Sequence, residues 1–222
     1  MPVKTIKTRK LLLAAAVTAL AGTVGVPFAS ADTSVGNCEV QLTTPFISFG
    51  DLNPYFQLAN GGFEAGLTGW KTTGPVTTVV DNETAHVAVT DSRSGRSGSM
   101  SGAMDSKSAA LGTASTLTTP TFCVNMQTPN MRFFVRNLGS SASALNVTVN
   151  YTNSSGKPVS TFVTSLSGTS TWSLTPSVMF LGSIVSPSVQ SGAVMVTFTF
   201  APTGSDASWH LDDFYVDPLK HR

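Results

Sequence analysis

Two stretches of seven residues limit what this chain can fold into. Leu145, Val147, Val149 and Tyr151 alternate with Asn146, Thr148 and Asn150. Val194, Val196, Phe198 and Phe200 alternate with Met195, Thr197 and Thr199. Side chains alternate sides with period 2 along a strand and with period 3.6 around a helix. Each stretch therefore predicts a strand with one buried and one solvated face. Residues 131–136 repeat the pattern, with Met131, Phe133 and Val135 against Arg132, Phe134 and Arg136. Shorter strands are expected at 76–80, 85–90, 115–119, 159–165, 172–174 and 208–216. No stretch after residue 31 has helical periodicity. Many short strands divided by Gly, Pro and Asn-rich turns predict an all-β, antiparallel two-sheet sandwich.

The N-terminus has a different character. Lys4, Lys7, Arg9 and Lys10 precede the apolar run 11–26, and Ala29-Ser30-Ala31 follows. This reads as a secretory signal peptide over 1–31, cleaved before Asp32. The apolar run is shorter than the ~20 residues that span a bilayer, and no later segment is apolar for long enough to cross. The expected location is extracellular, either released or associated with the cell surface. Without the leader the chain keeps nine basic residues against twelve acidic ones. That balance argues against nucleic acid as a partner. The remaining 32–222 fit a single β-sandwich domain. Within it, the Ser- and Gly-rich stretch 92–108 reads as a long surface loop.

Cys38 and Cys123 are the only cysteines. An even count in an exported chain favours one disulfide; two buried free thiols are the alternative. No Cys/His cluster has the spacing of a zinc site.

The stretch NGGFEAGLTGW, 60–70, places Glu64 beside Phe63 in a segment with little other charge. WHLDDFYVDP, 209–218, does the same for Asp212. Regular alternation there would put His210, Asp212, Phe214 and Val216 on one face, and Trp209, Leu211, Asp213 and Tyr215 on the other. A carboxylate among inward apolar groups needs a partner. Calcium (Ca²⁺) held by carboxylates and loop carbonyls is one. A turn cap or a pairing of Glu64 with Lys71 is another. Trp70 and Trp172 read as buried core residues.

The same two stretches resemble the two ends of carbohydrate-binding modules with the galactose-binding-like jelly-roll fold. The chain from Cys38 to Pro218 also resembles small secreted single-domain bacterial proteins of unassigned function, on CEVQLTTPFISFGDLNPYFQLANGGFE, PTFCVNMQTPNMRFFVRN and LDDFYVDP. The resemblance implies that the first and last strands lie together. It also implies that Glu64 and Asp212 hold a structural calcium; since six to eight oxygens are required, carbonyls near Asn60–Gly62, water, or a third acid such as Asp81 or Glu83 would complete the shell.

The polar row Arg132, Phe134, Arg136, Asn146, Thr148, Asn150, Thr197 and Thr199 then becomes a candidate face for a polysaccharide or cell-surface glycan. Phe134 would stack on sugar, and Arg132, Arg136 and Asn146 would serve as polar contacts. A solvated sheet face would carry the same residues. Catalytic signals are weak. His86, His210 and His221 are the only histidines, no nucleophile elbow occurs, and no phosphate loop follows a strand. Three functions follow: a secreted non-catalytic carbohydrate-binding protein, an extracellular scaffold of the cell envelope, and a hydrolase whose site has no recognised motif.

Overall fold

The structure is a computed structural model that describes residues 32–35, 38–46, 52–81, 106–184 and 193–217. The leader 1–31, the strand expected at 85–90 with His86, and most of the loop 92–108 lie outside the described residues. So do Glu83, Pro218 and His221.

The described strands, in chain order, are β1 (Asp32–Val35), β2 (Cys38–Gln41), β3 (Phe56–Gln57), β4 (Lys71–Thr73) and β5 (Val76–Val80). Next come β6 (Lys107–Gly112), β7 (Thr116–Thr118), β8 (Phe122–Val124), β9 (Asn130–Asn137) and β10 (Leu145–Thr152). The last are β11 (Pro158–Leu166), β12 (Ser173–Leu174), β13 (Val178–Met179), β14 (Val194–Pro202) and β15 (Ser208–Asp217). A single 3-10 turn at Leu181–Ser183 is the one helical element among the described residues. One sheet runs β11-β10-β14-β7-β4, with β8 also on β14. The other runs β12-β9-β15-β6-β5, with β13 on β9 and β3 on β15. Within both sheets, neighbouring strands are antiparallel. The fold is the all-β sandwich that the alternation predicts.

The inner faces meet in one apolar core. Val147, Val149, Phe198 and Phe200 from the first sheet pack against Phe133, Leu211 and Phe214 from the second, all fully buried. Phe133 lies 4.6 Å from Phe214 and 5.1 Å from Phe200, centroid to centroid. Burying one such ring is worth roughly 1.5–3 kcal/mol, so these aromatics hold the sheets together.

Regular alternation fails in β15. Its register on β9 slips between Asp212 and Tyr215, and Asp213 takes a left-handed φ of 48°. The bulge adds one residue and exchanges the faces beyond it. Trp209, Leu211, Phe214 and Val216 all join the core, while His210 and Tyr215 face outward. The expected grouping of Phe214 and Val216 with His210 is thus corrected. The bulge falls where β15 changes partner, from β6 at 208–211 to β3 at 215–216. The loop 58–61 fills that gap. Leu58 N donates to Phe214 O, and Phe214 N donates to Gly61 O. A Cβ on Gly61 would lie 3.1 Å from Phe214 O, which is why the approach needs glycine. The NGGFE and LDDFYV stretches do lie side by side.

Lys107 and Ser108 begin β6 rather than end a loop, which corrects the boundary expected at 108. Small residues fill this strand because β5 and β15 flank it, and Ser108 and Ala109 are fully buried.

Residues 38–46 and 52–57 tie the sheets from outside. Cys38 is bonded to Cys123, with Cα atoms 5.6 Å apart. Cys123 faces outward from the first sheet, opposite Met195. The chain then crosses to the second sheet. There Phe46 packs on Tyr55 at 4.8 Å, on Tyr215 at 5.2 Å and on Phe134 at 6.4 Å. A bridge between Thr43 and Tyr55 closes this strap.

Candidate functional site

The residues expected to form one polar row divide between two surfaces. Arg132, Phe134 and Arg136 alternate outward on β9 in the second sheet. Asn146, Thr148, Asn150, Thr197 and Thr199 face outward on β10 and β14 in the first. The core lies between them, so Asn146 cannot join Arg132 and Arg136 on one ligand. On the first sheet the polar groups bond to one another. Ser160 Oγ donates to Asn150 Oδ1 at 2.8 Å, Asn150 Nδ2 donates to Thr199 Oγ1 at 2.9 Å, and Thr199 and Thr118 share a hydrogen bond of 2.9 Å.

Phe134 is no stacking platform. It is 4 % exposed, because Phe46 of the strap covers it. Trp172 moves the other way. It was expected in the core, yet it is half-buried on the outer face of the second sheet, packed against the Phe46, Tyr55, Phe134 and Tyr215 cluster.

The register sets what stands beside Trp172. His210 lies opposite Arg136, and Leu174 lies opposite Phe134, which places Trp172 next to Arg136. The Arg136 guanidinium sits 5.3 Å above the Trp172 ring. The Trp172 and His210 rings are 6.3 Å apart. Asp81 completes the group, since its Oδ2 accepts from Arg136 Nη2 and from His210 Nδ1. Arg136 Nη2 is also 3.4 Å from His210 Nδ1. Asp81 and Arg136 are 23 % and 21 % exposed, so solvent reaches them but does not surround them. Burial holds the His210 imidazole below its ordinary value of 6.5. The Asp81 hydrogen bond and charge work upward, and the Arg136 charge adds to the lowering. His210 is therefore neutral at pH 7, and it meets Asp81 through a hydrogen bond rather than an ion pair.

Chemically, the group sets a carboxylate, a guanidinium, an imidazole and an indole side by side on a sheet. Oδ1 of Asp81 has no partner among the described residues. Alternation along 131–136 turns Arg136 outward, but nothing in the sequence places His210 beside it. The sequence offers Asp81 only as a spare calcium ligand. Arg132 lies lower on the same face, opposite Tyr215.

Glu64 and Asp212 occupy other surroundings. Glu64 Oε1 accepts from Ser106 N at 2.8 Å and Lys107 N at 2.9 Å, and Oε2 accepts from Ser106 Oγ at 3.4 Å. The carboxylate thus caps the start of β6. Lys107 Nζ donates to Glu64 O at 3.0 Å. The loop carbonyls are engaged too, Asn60 O by Trp70 Nε1 at 3.0 Å and Gly61 O by Phe214 N. Asp212 is fully buried, and its Oδ1 accepts from Asp213 N at 2.9 Å. The carboxylate nearest the loop is Asp213, whose Oδ1 accepts from Gln57 Nε2 at 3.0 Å. No group of three or more His, Cys, Asp or Glu converges among the described residues. The Glu64 carboxylate is committed to the two N–H groups that open β6, and Asp212 Oδ1 to Asp213 N, while Glu83 lies outside the described residues.

No protein-family model matches the chain. No curated protein matches it in sequence. Solved structures do resemble it. A family 61 carbohydrate-binding module in complex with β-1,4-galactotriose is 15 % identical, with a TM-score of 0.40, over 73 % of this chain and 97 % of that one. The family 22 xylan-binding domain of Paenibacillus barcinonensis Xyn10C is 15 % identical, with a TM-score of 0.43, over 69 % of this chain and 87 % of that one. A Clostridium thermocellum xylanase comprising a family 22 module and its catalytic module, complexed with xylohexaose, is 10 % identical, with a TM-score of 0.48. That match covers 74 % of this chain and 29 % of that one.

Proposed function

We propose that this chain is a secreted, non-catalytic carbohydrate-binding protein whose ligand rests on Asp81, Arg136, Trp172 and His210. One observation carries the reading: these four side chains share one partly solvent-open patch on a rigid sheet. A sugar offers hydroxyls that both donate and accept, and ring C–H groups that pack on an aromatic. Asp81 Oδ1 accepts from a hydroxyl, Arg136 donates to an oxygen, and Trp172 supplies the apolar wall. His210 fixes the Asp81 carboxylate. The disulfide supports an extracellular setting.

The His210–Asp81 pair also suggests acid–base chemistry. Two features weigh against it. Arg136 sits on the same carboxylate and disfavours an imidazolium, and no nucleophile side chain hydrogen-bonds His210 among the described residues.

A glycan array on folded mature protein tests the proposal, followed by calorimetry with Asp81→Asn and Trp172→Ala. Each variant should weaken binding by about tenfold or more with its fold intact. A folded protein that binds no glycan would return the chain to the scaffold reading.

A further inference from the structure

We infer that β11 is an interface strand that pairs antiparallel with β11 of a second copy of this chain, across a two-fold axis at Thr161; the inference does not rest on the sugar-binding reading. β11 ends the first sheet, with β10 on one side only. An edge strand turns every second N–H and C=O away from its neighbour, open to another extended strand. Among the described residues, no group outside β10 hydrogen-bonds to the β11 backbone.

Edges are usually blunted by lysine, proline or a bulge. Here those devices stand at the limits of a short regular stretch. Lys157 and Pro158 stand at its start, and the register on β10 shifts at Val163. Between them, Ser160 and Phe162 lie opposite Asn150 and Thr148 and face outward, and Phe162 is 58 % exposed. Val159 and Val163 pack on the core. Residues directly opposite in an antiparallel pair share a face. A dyad at Thr161 sets Val159 against Val163 and Ser160 against Phe162, so every pair keeps its face. A centre one residue earlier draws Pro158 into the ladder. A centre one residue later sets outward Ser160 against Thr164, which lies opposite the inward Val147.

Charge points to a second copy as the occupant. From Asn137 to Ser205 the chain has one charged side chain, Lys157, whereas about one residue in four is charged in a typical domain. That span supplies β10, β11, β13 and β14, so the margin around β11 is almost neutral. Two such margins meet without stranding a charge. In the Thr161 register the two Lys157 side chains stand at opposite ends of the ladder, each level with Ser165 of the other copy. β13 and the 3-10 turn lie against β11, and Met179 there is 70 % exposed. Nine residues at about 3.4 Å each, on a sheet about 10 Å thick with its side chains, give roughly 300 Å² per copy, to which Phe162 and Met179 add. That is below the ~800 Å² per partner of a stable complex, so the dimer forms in the micromolar range or weaker.

Sedimentation of the intact folded protein from about 1 μM to about 1 mM tests this, and a monomer–dimer equilibrium is expected. Phe162→Lys brings two ammonium groups within diagonal reach across the dyad and should raise the dimer Kd at least about tenfold, with an unchanged circular dichroism spectrum. Phe162→Glu alone should do the same. An equimolar mixture of the two variants should associate again, a recovery that lost packing cannot produce. If either variant does not fold, Ser160→Lys and Ser160→Glu take their place, since Ser160 is exposed. A protein that stays monomeric throughout overturns the inference and leaves the edge to a strand of another protein. A dimer that the lysine substitution does not weaken, or that the mixture does not restore, overturns it as well.

Discussion

The bulge at Asp212–Tyr215 decides which face carries Phe214, and that assignment can be measured. With the bulge, Phe214 stacks on Phe133 at 4.6 Å and an interplanar angle of 13°. It also touches Trp70 at 5.0 Å and Phe63 at 6.0 Å. With regular alternation it would share the outward face of Phe134. Truncation alone cannot separate the two, since Phe214 and Tyr215 are both fully buried. Phe214→Ala should cost about 3–5 kcal/mol in either case. At roughly 2–4 °C per kcal/mol for a domain of this size, the melting temperature would drop about 6–20 °C. The coupling is what discriminates. Phe→Leu at each site keeps most of the volume and removes the ring pair. Urea melts of the single and double variants then give the interaction term. Phe214 with Phe133 should couple by about 0.5–1.5 kcal/mol. Phe214 with Phe134 should add within about 0.5 kcal/mol, the sheet lying between them. Strong coupling to Phe134 with none to Phe133 would refute the bulge and the core assignment of β15 together.

Other outcomes follow from the same structure. Replacing Cys38 and Cys123 by serine opens a loop of 85 residues and should cost up to about 4.6 kcal/mol; an unchanged denaturation midpoint would mean that the bridge contributes nothing to the unfolded chain's entropy. His210 is held below its ordinary value of 6.5, so the unfolded chain takes up a proton first. Its contribution is complete above about pH 6.5 and is lost as pH falls toward the folded value. Melting temperature should therefore fall faster below about pH 6.5 in the wild type than in His210→Gln, and parallel curves would contradict the half-buried, neutral imidazole. Glu64→Gln weakens an acceptor of two backbone N–H groups and should destabilise by about 1–3 kcal/mol. In metal-stripped protein, millimolar calcium should move the melting point by less than about 2 °C; a rise of several degrees abolished by chelator would restore the ion and require Lys107 to move aside.

Much of the fold was legible in the chain, and the reason is plain. β9, β10 and β14 each carry one face into the core for eight or nine residues, so their apolar period survives as a pattern. β15 obeys the same physics but takes an extra residue at Asp213, and a period broken midway reads as the wrong face. β6 was missed because a strand between two neighbours can be built from Ser and Ala, which leave no amphipathic signal. The site was hidden for a different reason. Period 2 says that Arg136 and Asn146 both point out, but not that they point out of opposite sheets. Phe46 and Tyr55 sit in an irregular segment, so nothing in their spacing announces that they cover Phe134. Asp81 directly follows β5, so nothing in its own spacing announces His210.

The strap has a mechanical consequence. A pull on the chain at β2 is delivered through the Cys38–Cys123 bond to β8, and from there to β14 in the first sheet. The strap's own hydrogen bonds at Thr43 and Tyr55 and the Phe46 contacts lie downstream of that covalent link. They carry no tension while it is intact. If the N-terminal end were tethered and a ligand on the second sheet were pulled, the load would cross the sandwich through its aromatic core. Reduction of the bond would reroute the same force through Phe46 and peel the strap away from Phe134 first.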